Sequence, residues 1–324
     1  MIKLDDIREP VRLEMKEFNS RFKSSISSNI PLVNLVTAYI LKRKGKQMRP
    51  LFIFLTSKMT GEIGPSTYTA ASLIELMHTA TLVHDDVVDD SNERRGAFSV
   101  KAIWKSKIAV LLGDYLLAKG LLLAVQHKEY DLLEIVSDAS REMSEGELLQ
   151  LQKSRSLNID IDTYYEVIRK KTATLIAACT ASGAKASGSS PEIVERAYNL
   201  GINIGMAFQI KDDLFDYQDN GLTGKPSGND IKEKKFTLPL IYALNQSERG
   251  QSKAIIRKIK RGKKSQQVVN EVVRFVIENG GVDFATKKMH EFKRKALENL
   301  DSFPDNPARK SLQDLIEFTV SRKK

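Results

Sequence analysis

Two acidic runs in this chain share one spacing. Asp85, Asp86 and Asp89 form an Asp-Asp-x-x-Asp pattern within HTATLVHDDVVDDSNERRG (78–96), and Asp212, Asp213 and Asp216 repeat it within FQIKDDLFDYQDN (208–220). At 3.6 residues per turn, the first and last aspartates of each run stack on one helix face. Carboxylates this close repel one another, so they call for a cation at neutral pH. An all-oxygen set suits Mg²⁺, which favours a few carboxylates, several waters and substrate phosphates. A single run reads equally well as a solvated acidic helix end. Two runs of identical spacing, each followed by basic residues, point instead to a grip on a polyphosphate through metal ions.

The cations fall in the right company. Arg94 and Arg95 follow the first run, and Lys225 and Lys235 flank Gly224, Gly228 and Asp230 after the second. In GKQMRP (45–50), Lys46 and Arg49 stand at a predicted helix start, where free N–H groups and the helix dipole also attract anions. Lys171 and Thr172 add a cation and a hydroxyl on a further helix. Any one of these reads as ordinary surface charge, but together they favour an anion site.

Positioning such groups is a task for helices here. The 324 residues give room for a large core, with 41% hydrophobic and 28% charged residues in ordinary globular proportion. The 9 prolines and 18 glycines sit mainly between segments of helical periodicity. No run alternates with a two-residue period, no repeat recurs, and no shift in composition marks a boundary. The pattern predicts an all-α chain, one domain over 1–324, built as a bundle of about a dozen helices around an apolar cavity. Each acidic run lies near the C-terminal end of a long apolar helix, about 67–90 and 191–217. Packed antiparallel or steeply crossed, those helices would set the runs facing each other across the cavity mouth.

Other classes fit less well. Cys179, the single cysteine, excludes an internal disulfide and reads as a small buried hydrophobe, in keeping with a cytoplasmic protein. The apolar stretch Ile108 to Val125 is broken by Asp114 and Lys119, and reads as a core helix rather than a membrane span. A net charge of +10 would attract nucleic acid, anionic lipid or phosphorylated metabolites. The densest basic run, Arg257 to Lys264, has no aromatic residue, so no nucleic-acid partner is expected.

These motifs, in this order, resemble the trans-isoprenyl diphosphate synthases, or polyprenyl synthetases. The likeness runs over nearly the whole chain through GKQMRP, HTATLVHDDVVDD…RRG, AVLLGDYLLA (109–118), KTA (171–173), FQIKDDLFD and GKPSGNDIKEKKFTLPL (224–240). Lys234 stands where the family usually has glycine. The resemblance implies the isoprenoid synthase fold and a homodimer joined through the apolar helices around 100–127. It also implies condensation of isopentenyl diphosphate with an allylic diphosphate. Asp85 and Asp89 would hold two Mg²⁺ ions and Asp212 a third, with Asp86, Asp213 and Asp216 in support. Arg94, Lys171, Lys225 and Lys235 would bind the allylic diphosphate, and Lys46, Arg49, His78 and Arg95 that of isopentenyl diphosphate. Lys171, Thr172 and Gln209 would serve catalysis at the allylic carbon, and the departing diphosphate would take the proton.

Product length is read on the first acidic helix. In short-chain members, aromatic residues four and five positions before the first aspartate close the pocket. Here those positions are Thr81 and Ala80, both small. Met77 lies deeper, about 12 Å along the axis from Asp85 at ~1.5 Å per residue. The sequence looks most like bacterial long-chain, octaprenyl-type members that supply quinone side chains, with a C30–C40 product and at most peripheral membrane contact for its release. Four alternatives remain: a C15–C20 synthase, a non-catalytic subunit of a heteromeric synthase, a terpene cyclase and a basic nucleic-acid-binding scaffold. The intact acidic pair argues against the second and fourth, and Lys46, Arg49 and Arg95 against the third.

Overall fold

The computed structural model describes residues 3–42, 45–94, 96–156, 160–217, 228–233, 235–261 and 265–322. Among the described residues it is all-α apart from one short hairpin. The helices are α1 Leu4–Arg8, α2 Arg12–Ser25, α3 Pro31–Lys42, α4 Met48–Thr60, α5 Pro65–Val88, α6 Val100–Gln126, α7 Tyr130–Ser156 and α8 Ile161–Ile168. They continue with α9 Thr174–Ala186, α10 Pro191–Phe215, α11 Asn229–Lys232, α12 Leu238–Gln246, α13 Arg249–Arg261, α14 Gln266–Glu278, α15 Gly281–Asp301 and α16 Pro307–Ser321. A one-turn π-helix, Arg169–Ala173, separates α8 from α9.

Two units divide the chain. The first holds Met1–Ser140, Ala178–Tyr198 and Phe303–Asp314; the second holds Arg141–Ala177, Asn199–Ser302 and Leu315–Lys324. Four of their boundaries fall inside α7, α9, α10 and α16, and the fifth falls between α15 and α16.

In the first unit α5 is the central rod. Pro65 opens it at the first helical position, where a missing N–H costs nothing. Thirteen of its residues are buried, from Thr67 to Asp86. Its longest partner is α6. The two approach closely because α6 offers glycines: a Cβ on Gly113 would fall 2.1 Å from His84 Nε2, and one on Gly120 would fall 3.2 Å from Leu73 Cδ1. Each apolar side chain seated on this rod contributes about 1.5–3 kcal/mol of burial.

α6 departs from the expectation of a buried core helix. Ala109, Leu112, Leu116 and Ala124 are buried, but Val110, Leu111, Leu121, Leu122 and Val125 are exposed. By length and composition alone this helix could cross a membrane, and only 33% of its most apolar window is buried. Cys179 is fully buried as expected, and that burial pushes its thiol well above the usual range.

In the second unit the core gathers Tyr164, Ile168, Ile210, Leu214, Leu240 and Val272 with their neighbours from α8, α10, α12 and α14. α10 presses on the π-turn: a Cβ on Gly205 would lie 2.4 Å from Ala173 Cα, so only glycine fits there.

Candidate active site

The first unit holds a cavity of about 180 Å³. Three elements bring its charged groups, beside Phe22 of α2 and Tyr39 of α3. The turn before α4 contributes Lys46 and Gln47, and the start of α4 contributes Arg49. Gln47 adopts a left-handed φ of 48° at the helix N-cap and donates to Asn19 Oδ1 at 2.8 Å, while Arg8 donates to the Lys46 carbonyl at 2.6 Å. The turn is therefore pinned on both sides, with the α4 N-terminus at the cavity. α5 contributes Glu75 and Asp86. The third element is a two-residue hairpin, β1 Glu93–Arg94 paired antiparallel with β2 Ala97–Phe98 and reversed by Gly96 at φ 71°. Tyr39 donates to the Phe98 carbonyl at 2.6 Å and Ser99 Oγ to the Ser91 carbonyl at 2.8 Å, so the hairpin is tied to its surroundings.

Both cavity arginines are already held by acids. Arg49 Nε donates to Glu75 Oε1 at 2.6 Å and Arg94 Nε to Asp86 Oδ1 at 2.6 Å. Asp86 is buried, and the sequence reading made it a helper of the metal; here its carboxylate engages Arg94. Asp85 is half-buried, and Asp89, exposed, caps α5 by donating its backbone N–H to the Asp85 carbonyl at 2.8 Å. α5 thus ends just before Asp89, so the stacked pair spans its last turn.

A cavity of about 260 Å³ lies in the second unit, lined by Lys171, Thr172, Gln209, Asp213, Asp230 and Lys235 among others. A file of hydrogen bonds crosses it. Thr172 Oγ1 donates to Gln209 Oε1 at 2.8 Å, and Gln209 Nε2 to Asp213 Oδ1 at 2.8 Å. Tyr164 closes the file by donating its hydroxyl to Asp213 Oδ2 at 2.7 Å. The π-turn is what brings Thr172 to Gln209; π-turns inside helices often mark functional sites. Lys171 pairs with Glu147, and Gln150 accepts from it at 3.4 Å. Asp216 accepts the Asp230 N–H at 2.5 Å, and Lys235 stands 2.7 Å from Glu233 and 3.9 Å from Asp230. Asp212 pairs with Arg322, whose guanidinium lies 4.4 Å from the Phe208 ring centre.

Burial makes the acids here costly to ionise, even with Arg322 on Asp212 and Lys235 near Asp230. Burial pushes the Asp213 carboxyl up to about 7 against the pull of Tyr164 and Gln209, with Asp230 and Asp212 adding repulsion. Burial and the neighbouring Asp216 push Asp230 up to about 6, and burial also raises Asp212 despite Arg322. A divalent cation would relieve all three. Among the described residues no three His, Cys, Asp or Glu side chains converge on one metal position. Mg²⁺ does not ask for that: it binds through one or two carboxylates and completes its shell with waters and substrate phosphates. The oxygen donors therefore fit it.

Of the sequence-predicted residues, one cavity collects Lys46, Arg49, Asp86 and Arg94, and the other Lys171, Thr172, Gln209, Asp213 and Lys235. His78 is half-buried on α5 and lines neither of these two. Arg95 and Lys225 lie outside the described residues. Sequence reasoning missed Glu75, Tyr164, Asp230 and Arg322 as site residues. Only Asp230 carried a signal, its place in the basic, glycine-rich segment.

The polyprenyl synthetase family model matches residues 30–276. The chain belongs to the polyprenyl synthetase family. Within that family it is 36% identical to the all-trans-nonaprenyl-diphosphate synthase (geranyl-diphosphate specific) of Rhodobacter capsulatus, over 98% of this chain and 97% of that one. It is similar in structure to a polyprenyl synthase from Caulobacter crescentus solved with calcium and isoprenyl diphosphate (TM-score 0.90, 33% identity, 99% and 98% covered). A geranylgeranyl pyrophosphate synthase from Bacteroides thetaiotaomicron also matches (TM-score 0.83, 37% identity, 98% of each covered).

Proposed function

We propose that this chain condenses isopentenyl diphosphate with an allylic diphosphate, head-to-tail and all-trans, and repeats the step to a long polyprenyl diphosphate of C30–C40. It is a prenyltransferase of the polyprenyl synthetase family. The observation that carries the reading is the second-unit cavity: Lys171 and Lys235 line the same small space as the buried acids Asp213 and Asp230, and the Thr172–Gln209 hydrogen bond lines it too. Cations and acids in one small space suit a polyphosphate bound with divalent metal.

In this reading Asp85, Asp89 and Asp212 hold Mg²⁺, three ions in all. When bound, the metal neutralises charge as it builds on the departing diphosphate. Lys171, Lys225, Lys235 and Arg94 hold that diphosphate, and fixed cations stabilise it most as the allylic C–O bond breaks. Thr172, oriented by Gln209, sits at the allylic carbon. Lys46, Arg49, His78 and Arg95 hold isopentenyl diphosphate so that its double bond attacks the allylic cation. The leaving diphosphate takes the proton, and apolar residues such as Met77 and Val83 keep water from the cation.

A second copy of the chain would cover the outer apolar face of α6, which is too large a stripe to leave in water. The enzyme would then be a cytoplasmic homodimer that touches the membrane only to release product.

The test uses purified protein, Mg²⁺, labelled isopentenyl diphosphate and C5, C10, C15 or C20 allylic primers. Products of C30–C40 are expected, from a species that sediments as a dimer. Products that stop at C15–C20 would support the short-chain alternative, as in the Bacteroides relative. No incorporation with any primer would overturn the enzyme reading, and a monomer at micromolar concentration would overturn the dimer.

A further inference from the structure

α5 carries two acids on one face. Glu75 and Asp86 are eleven residues apart, close to three full turns, and both line the first-unit cavity. Each accepts from the Nε of an arginine brought by a different element: Arg49 from the start of α4, Arg94 from β1. The first pair is well shielded, with side-chain exposures of 12% for Glu75 and 21% for Arg49. In a cavity whose expected ligand is an anion, these acids cancel positive charge. Their geometry gives the reason. A guanidinium has five N–H donors in a rigid plane, and a carboxylate on Nε leaves the terminal amino groups available. An untethered arginine has side-chain rotamer freedom to lose on binding. Fixing it in advance removes that cost.

We propose that Glu75 is a positioning residue: it fixes the Arg49 guanidinium so that its terminal N–H groups are ready for the diphosphate of isopentenyl diphosphate. Asp86 does the same for Arg94, so α5 acts as a rigid rule that spaces two anion-binding groups. The assignment of substrate rests on the proposed function; the Arg49–Glu75 geometry does not.

Glu75→Ala should raise KM for isopentenyl diphosphate about tenfold. KM for the allylic diphosphate should stay the same, and kcat should change far less than KM. Glu75→Gln keeps an acceptor for Nε and should recover most of the loss. In an Arg49→Ala background, Glu75→Ala should add nothing, because the two act as one unit. An unchanged KM for isopentenyl diphosphate would overturn the proposal. So would a parallel rise in both KM values with a lower melting temperature, which marks a structural role. Calorimetric binding of isopentenyl diphosphate separates this inference from the reaction. If wild type turns over no primer, yet binds isopentenyl diphosphate more tightly than Glu75→Ala, the positioning role stands and the reaction reading falls. If wild type binds none, or both bind equally, the positioning role falls.

Discussion

Replacing Asp85 and Asp89 together by asparagine is expected to lower turnover on the order of 10³-fold while leaving the protein as stable as before, or slightly more stable. The activity loss follows from removing the carboxylates proposed to hold metal against the leaving diphosphate; loss of one preorganised electrostatic group in an active site commonly costs 10²–10³. The stability half follows from where these acids sit. They occupy the last turn and the cap of α5, at the negative end of its dipole, and Asp90 follows directly. Acids there are unfavourable by roughly 0.3–1 kcal/mol each. A segment selected for stability would carry lysine or arginine instead, so the aspartates read as a cost kept for function. Urea unfolding and incorporation of labelled isopentenyl diphosphate check the two halves separately. Turnover within tenfold of wild type would remove these acids from the chemistry. A clear loss of stability would make them structural.

The second acidic run differs, and the difference explains how far the sequence could be read. Its spacing matches the first run, so both were visible as motifs. Their surroundings were not. Asp213 meets Tyr164, 49 positions earlier, and Asp212 meets Arg322, 110 positions later. No local pattern joins residues so far apart, and Tyr164 looks like any apolar position of an amphipathic helix. Glu75 was hidden for a related reason: it is one acid inside the apolar run ASLIELMHTA, and only the fold brings Arg49 to it. Helices were legible because their periodicity and start signals are local, as Pro191 shows at the start of α10. The π-turn at 169–173 was not, since it depends on Gly205 of α10 pressing on Ala173. The hairpin at 93–98 escaped because two-residue strands are too short to show alternation.

A phenylalanine at Thr81 should shorten the product to C20 or less, and so should one at Ala80, but with different side effects. Both residues are small where short-chain relatives of this family carry aromatics. On α5, Thr81 stands one turn before Asp85, on the same face, and is half-buried; its hydroxyl only donates back to the Met77 carbonyl at 3.1 Å. A larger side chain there would stand in the path of a chain growing away from Asp85, at little cost to packing. Ala80 is fully buried and lies four residues from both Leu76 and His84, which rest against Gly120 and Gly113 of α6. Its smallness therefore also serves the close approach of two helices. Overpacking such a contact costs about 1–3 kcal/mol. Thr81→Phe is thus expected to keep the wild-type unfolding midpoint, and Ala80→Phe to lower it, while chromatography shows both products shortened. Full-length product from Thr81→Phe would mean that the chain does not grow along this face of α5. Full-length product from a destabilised Ala80→Phe would mean that Ala80 is small for the sake of α6 alone.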